Sequence, residues 1–269
     1  MVSGVGFEPT APWIRSPVLC PLSYASFLEV LLTLHSNIHL LFKWVPFIFC
    51  AKHFRTLLHK EFPLRFSIMH PEARHFTLFV KHVLPSFFDN VVALDAGGGD
   101  INGHNGLLFT NTQFECNDVY PAPNVTIVSR TGDLPHPDGH FDTICSTESF
   151  EHDPEYEKSL QNITRILKPG GLFLFTCAST GRPEHGTRRT SPQESWGTRA
   201  NIDDMQDYYK NLTIGDISAS GILDEYAAWR SYYNPTSRDL YFFGIKRGPA
   251  DPPALQSYVV PHIQPTGGI

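Results

Sequence analysis

Apolar and polar positions fall into regular periods from about residue 70 onward. In HPEARHFTLFVKHVLPSFF the apolar residues Phe76, Phe79, Val80, Val83 and Leu84 recur at helical spacing, and Pro85 closes the run, which predicts a helix leading into a strand. VVALD, residues 91–95, is a short apolar run ended by an acid and followed by AGGGD. That pattern suits a buried parallel strand opening at its C-terminal end into a glycine turn. FECND (114–118), VTIV (125–128), FDTICS (141–146) and LFLFT (172–176) read as further strands, and a helix is expected over about 155–167, stopped by Lys168 and Gly170-Gly171. DDMQDYYKNL (203–212) predicts another helix carrying Tyr208 and Tyr209, while AAWRSYY (227–233) and DLYFFGIKR (239–247) flank Asn234-Pro235 as a hairpin. The alternation is that of an α/β fold with a mostly parallel sheet. Only residues 119–124 join the second and third strands, too short for a helical crossover, so the helix usual there is expected to be missing.

The first part of the chain lacks this order. Residues 1–24 hold four prolines and show no helical or strand period. FLEVLLTLHSNIHLLFKWVPFIFC (27–50) has the length of a membrane span, but Glu29, His35, Asn37, His39 and Lys43 interrupt it. It is expected to be an amphipathic or poorly ordered leader that packs on the domain or on a membrane surface. The organisation read from the chain is therefore an N-terminal extension over 1–60, poorly ordered or a loosely packed helix, a domain over 70–247 and a Pro-rich tail over 248–269. The formal charge of −6 and the absence of an extended Lys/Arg run give no nucleic-acid footprint. Five cysteines form no CxxC pair, so buried free thiols, a reducing cytoplasmic setting and no metal site are expected.

Chemistry enters at the glycine turn. Gly97, Gly98 and Gly99 let the backbone approach a ligand, and Asp95 at the strand end can accept hydrogen bonds from an ammonium or from the turn's amides. Asp118, ending the second strand some twenty residues past the glycines, is placed to bind both ribose hydroxyls of a nucleoside. The dinucleotide fingerprint GxGxxG fails, since its last position is Asn102 and Gly103 comes one place late, which opposes a nicotinamide-dependent reductase.

LDAGGGD, followed by LPHPDGHFDTICSTESFEHDPEYEKSLQNITRILKPGGLFLFT, resembles the type 11 class of class I S-adenosylmethionine-dependent methyltransferases over about residues 70–247. The resemblance implies a Rossmann-like, seven-stranded, mostly parallel sheet with an antiparallel last strand and helices on both faces. It implies S-adenosyl-L-methionine as cofactor, with Gly97, Gly98 and Gly99 at its methionine end, Asp118 on the ribose, Asp133 and Leu134 beside the adenine, and Asp95 and Ser146 completing the site. Two departures stand out: Ile101 replaces the third glycine of the usual D-x-G-x-G-x-G, and Arg130 replaces the acid that commonly precedes the LP motif.

Methyl transfer by in-line displacement needs alignment and exclusion of water, and a hydroxyl or amine acceptor also gains from a general base. Glu148 and His152, after the fourth strand, are the catalytic candidates, although His152 could equally brace the loop. CASTGRPEHGTRRTSPQESWGT (177–198) is long and polar at a strand's C-terminal end, as a substrate lid would be, and its Arg182 and His185, with Arg188 and Arg189, could meet an anionic acceptor. The expected partner is a small-molecule or glycan acceptor. A catalytically inactive, cofactor-binding relative with a regulatory role is the alternative.

Overall fold

The computed structural model describes residues 70–269; the expectations for residues 1–60, including the membrane contact through 27–50, lie outside the described residues. Helix α1 (Pro71–Val83) opens with proline at its first position, where no backbone N–H is needed, and buries Ala73, Phe76, Thr77 and Val80 at three- and four-residue spacing. Leu84 caps it and Pro85 prevents its continuation. There follow β1 (Val92–Ala96), β2 (Gln113–Asp118), the two-residue β3 (Ile127–Val128) and β4 (Phe141–Thr147). Next come α2 (Tyr156–Ile166) and the long β5 (Leu167–Ala178). The short helices α3 (Trp196–Arg199) and α4 (Ile214–Ala219) precede β6 (Tyr226–Asn234), β7 (Asp239–Lys246) and β8 (Gln264–Gly268).

One eight-stranded sheet has the order β3-β2-β1-β4-β5-β7-β6-β8. The first five strands in that order pair in parallel, β7 lies antiparallel between β5 and β6, and β8 pairs antiparallel with β6. The hairpin and the thin β3 edge match the sequence reading, as does the Rossmann-like sheet itself. The chain runs from β1 to β2 on one side and later returns to β4 on the other, so the C-terminal end of β1 is a topological switch point.

Period-two patterning builds the two layers of the core. Along β5, Phe173 and Phe175 face α2, joining Leu160, Ile163, Ile166 and Phe242. Leu172 and Leu174 face the other way, joining Phe76 and Val80 of α1 with Phe243, Ile245, Leu255 and Tyr258. This alternation is what a strand covered on both faces requires. Cys116, Cys145 and Cys177 are buried free thiols.

Three local features depart from the sequence pattern. β8 is the strand beyond the expected seven; QPTGG carries no apolar alternation, yet a Cβ at Gly267 would come within 2.7 Å of the Trp229 ring, so only glycine lets this segment lie against β6. The stretch read as a Pro-rich tail thus closes the sheet and places Tyr258 on Phe76 and Phe79. Residues 203–212 form turns and extended chain rather than a helix, because their backbone bonds go to neighbours: Lys210 N–H donates to the Glu151 carbonyl and Leu212 N–H to that of Ala178. Among the described residues, no helix is long and apolar enough to cross a membrane.

α4 is short and depends on its cap. The Thr213 side chain accepts from Asp216 N–H while the Asp216 carboxylate accepts from Thr213 N–H, a complete capping box. Thr213→Ala is expected to lower the unfolding free energy by about 1 kcal/mol, measured by urea titration. No change would show that packing alone holds this helix.

Candidate functional site

A cavity of about 410 Å3 opens at the switch point. Gly97 and Gly99 after β1, Asp118 and Val119 at the end of β2, and Thr147 and Glu148 at the end of β4 meet there, and Arg182, His185 and Trp196 of the segment after β5 close it. Ligand sites of open α/β sheets lie at such strand ends, and the volume falls in the usual range of about 300 to 1,000 Å3.

The turn after β1 is held by its own acids. Asp95 is fully buried and accepts from Asn105 N–H at 2.8 Å and from Asn105 Nδ2 at 2.7 Å. It anchors the loop from behind and does not line the cavity. Asp118 faces the cavity, with Oδ2 accepting from Gly99 N–H at 3.0 Å and Oδ1 from Val119 N–H at 2.7 Å. Burial pushes both carboxyls up to about 6. A Cβ at Gly99 would sit 2.7 Å from both Asp118 Oδ2 and the Trp196 ring, so a bare Cα is what lets these groups close on the turn. Ile101, in place of the third glycine, lines the cavity beside Gly103, whose φ of 115° supplies the bend.

Four other candidates lie apart from the cavity lining. Gly98 packs against Asp95, Ser146 donates its hydroxyl to the Ala96 carbonyl at 2.8 Å, and Leu134 belongs to the core cluster with Phe141 and Ile163. Asp133 turns outward to pair with Lys158 at 2.6 Å. Arg130 and Thr131 occupy the wall beside them instead, with Arg130 held by Asp204 at 2.6 Å and by Glu155 at 3.4 Å. The 3-10 turn Thr131–Asp133 carries Asp133 away from the cavity that Ser129, Arg130 and Thr131 line.

On the opposite wall, Glu148 adopts the left-handed conformation, φ 52°, that a side chain rarely takes without local compensation. Its N–H donates to the Thr176 carbonyl at 2.9 Å, and its Oε1 accepts from the Thr176 hydroxyl at 2.8 Å. Oε2 has no hydrogen-bond partner. Burial, with Glu151 nearby, pushes its carboxyl up to about 8. Behind it lie Glu151, raised to about 7 mainly by burial, and Asp239, raised to about 8 by burial and by Glu148. Burial pushes His152 down to about 3, so it is neutral and a weak proton acceptor.

The cations of the expected lid are already paired. Arg182 donates to Asp239 at 2.6 Å and to the Ser237 carbonyl at 2.7 Å, and stands 3.9 Å from Glu148. Arg188 pairs with Asp207, and Arg189 with Glu184. Only Arg182 and His185 of the lid's basic residues reach the cavity. Trp196, which the sequence reading overlooked, donates Nε1 to the Gly99 carbonyl at 2.9 Å and stacks on Tyr120 with ring centroids 4.7 Å apart. An isolated aromatic in a polar, glycine-rich stretch was the available signal.

Residues 106–175 match the family model described as a methyltransferase domain. The chain is 46% identical over 44 residues to the sarcosine/dimethylglycine N-methyltransferase of Halorhodospira halochloris, covering 16% of this chain and 16% of that relative. It is 31% identical over 117 residues to the fatty-acid O-methyltransferase of Mycolicibacterium smegmatis, covering 39% of this chain and 40% of the relative. The chain therefore spans less than half the length of either. A crystal structure of the 1,6-didemethyltoxoflavin-N1-methyltransferase of Burkholderia thailandensis, with 1,6-didemethyltoxoflavin and S-adenosylhomocysteine bound, aligns with a TM-score of 0.45 and 17% identity over 86% of this chain and 94% of that one.

Proposed function

We propose, from the premise that residues 106–175 belong to the methyltransferase domain family, that the chain transfers a methyl group from S-adenosylmethionine to a small-molecule or glycan acceptor by direct in-line displacement. The observation that carries this reading is the convergence of Gly97, Gly99, Asp118 and Glu148 in one cavity at the switch point.

The residues present fit the cofactor. Asp118 accepts from Gly99 N–H through Oδ2 and from Val119 N–H through Oδ1, and its carboxylate faces the cavity, where it can take ribose hydroxyls. Gly97 and Gly99 leave the floor bare for the methionine end, and Thr131, Arg130 and backbone amides would flank the adenine in place of Asp133 and Leu134. When bound, the sulfonium supplies an activated methyl carbon. The chain's own task is then alignment and exclusion of water, which Trp196 serves by tying the lid to the Gly99 carbonyl. Glu148 lines the cavity, its Oε2 makes no hydrogen bond and faces the Arg182 guanidinium at 3.9 Å, and once ionised, above about pH 8, it would accept the proton of a hydroxyl or amine acceptor. The relatives' printed names, an N-methyltransferase acting on sarcosine and an O-methyltransferase acting on fatty acids, support a small acceptor.

A screen of small amines, carboxylic acids and glycans with methyl-labelled S-adenosylmethionine, read as label transferred to product, tests the reading. Label in one acceptor class, lost when Asp118→Ala is used, is the expected outcome; no transfer to any of them would count against turnover.

Affinity should also depend on pH in a stated direction. Burial pushes the Asp118 carboxyl up to about 6, and its ionised form is the one that would accept both ribose hydroxyls. Protonation therefore competes with binding: affinity for S-adenosylhomocysteine stays level above about pH 7 and falls below pH 6, by up to about tenfold per unit. Calorimetric titrations between pH 5 and 8 check this. A slope that persists unchanged in Asp118→Asn would assign it to another group, Asp95 first.

A further inference from the structure

Under the lid lies a cluster of donors that methyl transfer does not use; His152 and His185 line the cavity, while Glu151 is buried behind it. Glu151 and His152 come from the single 3-10 turn after β4, and His185 comes from the lid. One donor atom of each lies within 4.8 Å of the other two. Glu151 is wholly buried; its Oε1 accepts from Ala178 N–H at 3.2 Å, while Oε2 has no partner. His152 is also buried, and its Nδ1 has no partner. Two orphaned buried atoms on consecutive residues call for a partner, since native interiors rarely leave such groups unpaired.

The third residue has the arrangement of a ligating histidine. His185 Nδ1 is 3.2 Å from the Pro183 carbonyl, and donating there fixes the tautomer that leaves a lone pair on Nε2. The His152 and His185 rings stand perpendicular with centroids 4.9 Å apart, and the Tyr209 ring lies 4.9 Å from His185 and 5.7 Å from His152, its own hydroxyl unpartnered. We propose that Glu151, His152 and His185 bind one divalent transition-metal ion.

Two imidazoles and one carboxylate select an ion of the zinc, manganese or iron(II) class over magnesium or calcium, which take oxygen donors. Bonds of about 2.0 to 2.2 Å require the three side chains to draw together by roughly 1 Å, a movement that the lid residue His185 can make. A three-residue set leaves coordination positions open. His152 and His185 line the cavity with Glu148, so an acceptor oxygen, from a hydroxyl or carboxylate, would take one of them. This last role rests on the methyl-transfer reading; metal binding itself does not.

The test uses the full chain, freed of metal with chelator and titrated with Co2+ while its visible absorption is followed, then with Zn2+ in competition. The expected result is saturation at one equivalent, bleaching of the colour by Zn2+, and at least tenfold weaker binding in His185→Ala, a substitution in a partly exposed loop. Glu115, His136 and His140 form a second, half-buried cluster, in which His136 already pairs with Glu115 at 2.9 Å, so His136→Ala serves as the control and should bind as the unsubstituted chain does. Absence of saturable colour, colour insensitive to His185→Ala, or colour lost in His136→Ala would each overturn the proposal. Metal binding without methyl transfer would sustain the site and count only against the role assigned to the ion.

Discussion

Asp118→Ala is expected to weaken S-adenosylhomocysteine binding by about 10²- to 10³-fold, the largest single effect on affinity. Hydrogen bonds to an ionised group contribute about 1.5 to 3 kcal/mol each, and every 1.4 kcal/mol is a factor of ten. Asp118 would offer two such bonds to the ribose, and the substitution also releases Gly99 N–H and Val119 N–H, which shape the turn. Isothermal titration reads the affinity. Asp118→Asn separates the two contributions, because a carboxamide keeps the shape and one acceptor oxygen; it should lose about tenfold less than Asp118→Ala. Equal and small losses in both variants would mean that the ribose lies elsewhere.

Glu148→Gln is expected to slow methyl transfer by about 10²- to 10³-fold, in line with the loss of a general base, while S-adenosylhomocysteine affinity stays within about threefold. The carboxylate is held by its own strained backbone and by Thr176, so the isosteric amide should keep the loop in place while removing the proton acceptor. The measurement is single-turnover transfer to whichever acceptor the labelled screen identifies. A loss of affinity equal to the loss of rate would assign Glu148 to loop geometry, and an unchanged rate would leave the acceptor without a base at this position.

Much of the sheet was legible because its strands obey simple periods. The run VVALD with its closing acid, the alternating LFLFT, and the hairpin around Asn234-Pro235 each became the strand they suggested. β8 was not legible, since QPTGG owes its place to the ring of Trp229 above it and not to any pattern of its own. The helix expected over 203–212 failed for a related reason: its backbone donors bond to Glu151 and Ala178, contacts that local sequence does not encode.

The candidate site divides along the same line. Gly97, Gly99, Asp118, Glu148, His152, Arg182 and His185 reach the cavity because each sits at or beyond a strand's C-terminal end, which sequence order reveals. Asp133 and Leu134 follow the very short β3, and the turn there points one to solvent and the other into the core. Asp95 has the position of a ligand residue but spends both oxygens on Asn105, and Trp196 reaches Gly99 from far along the chain. Such tertiary contacts carry no periodic signal.

A cavity at the switch point built for S-adenosylmethionine should bind its demethylated product in preference to a dinucleotide. The most direct test is a calorimetric titration of the purified chain with S-adenosylhomocysteine and, separately, with NADH, both at pH 7.5. Saturable one-to-one binding of S-adenosylhomocysteine that Asp118→Ala abolishes or reduces by at least a hundredfold, with no binding of NADH, is the expected result. Saturable NADH binding with none of S-adenosylhomocysteine would contradict it.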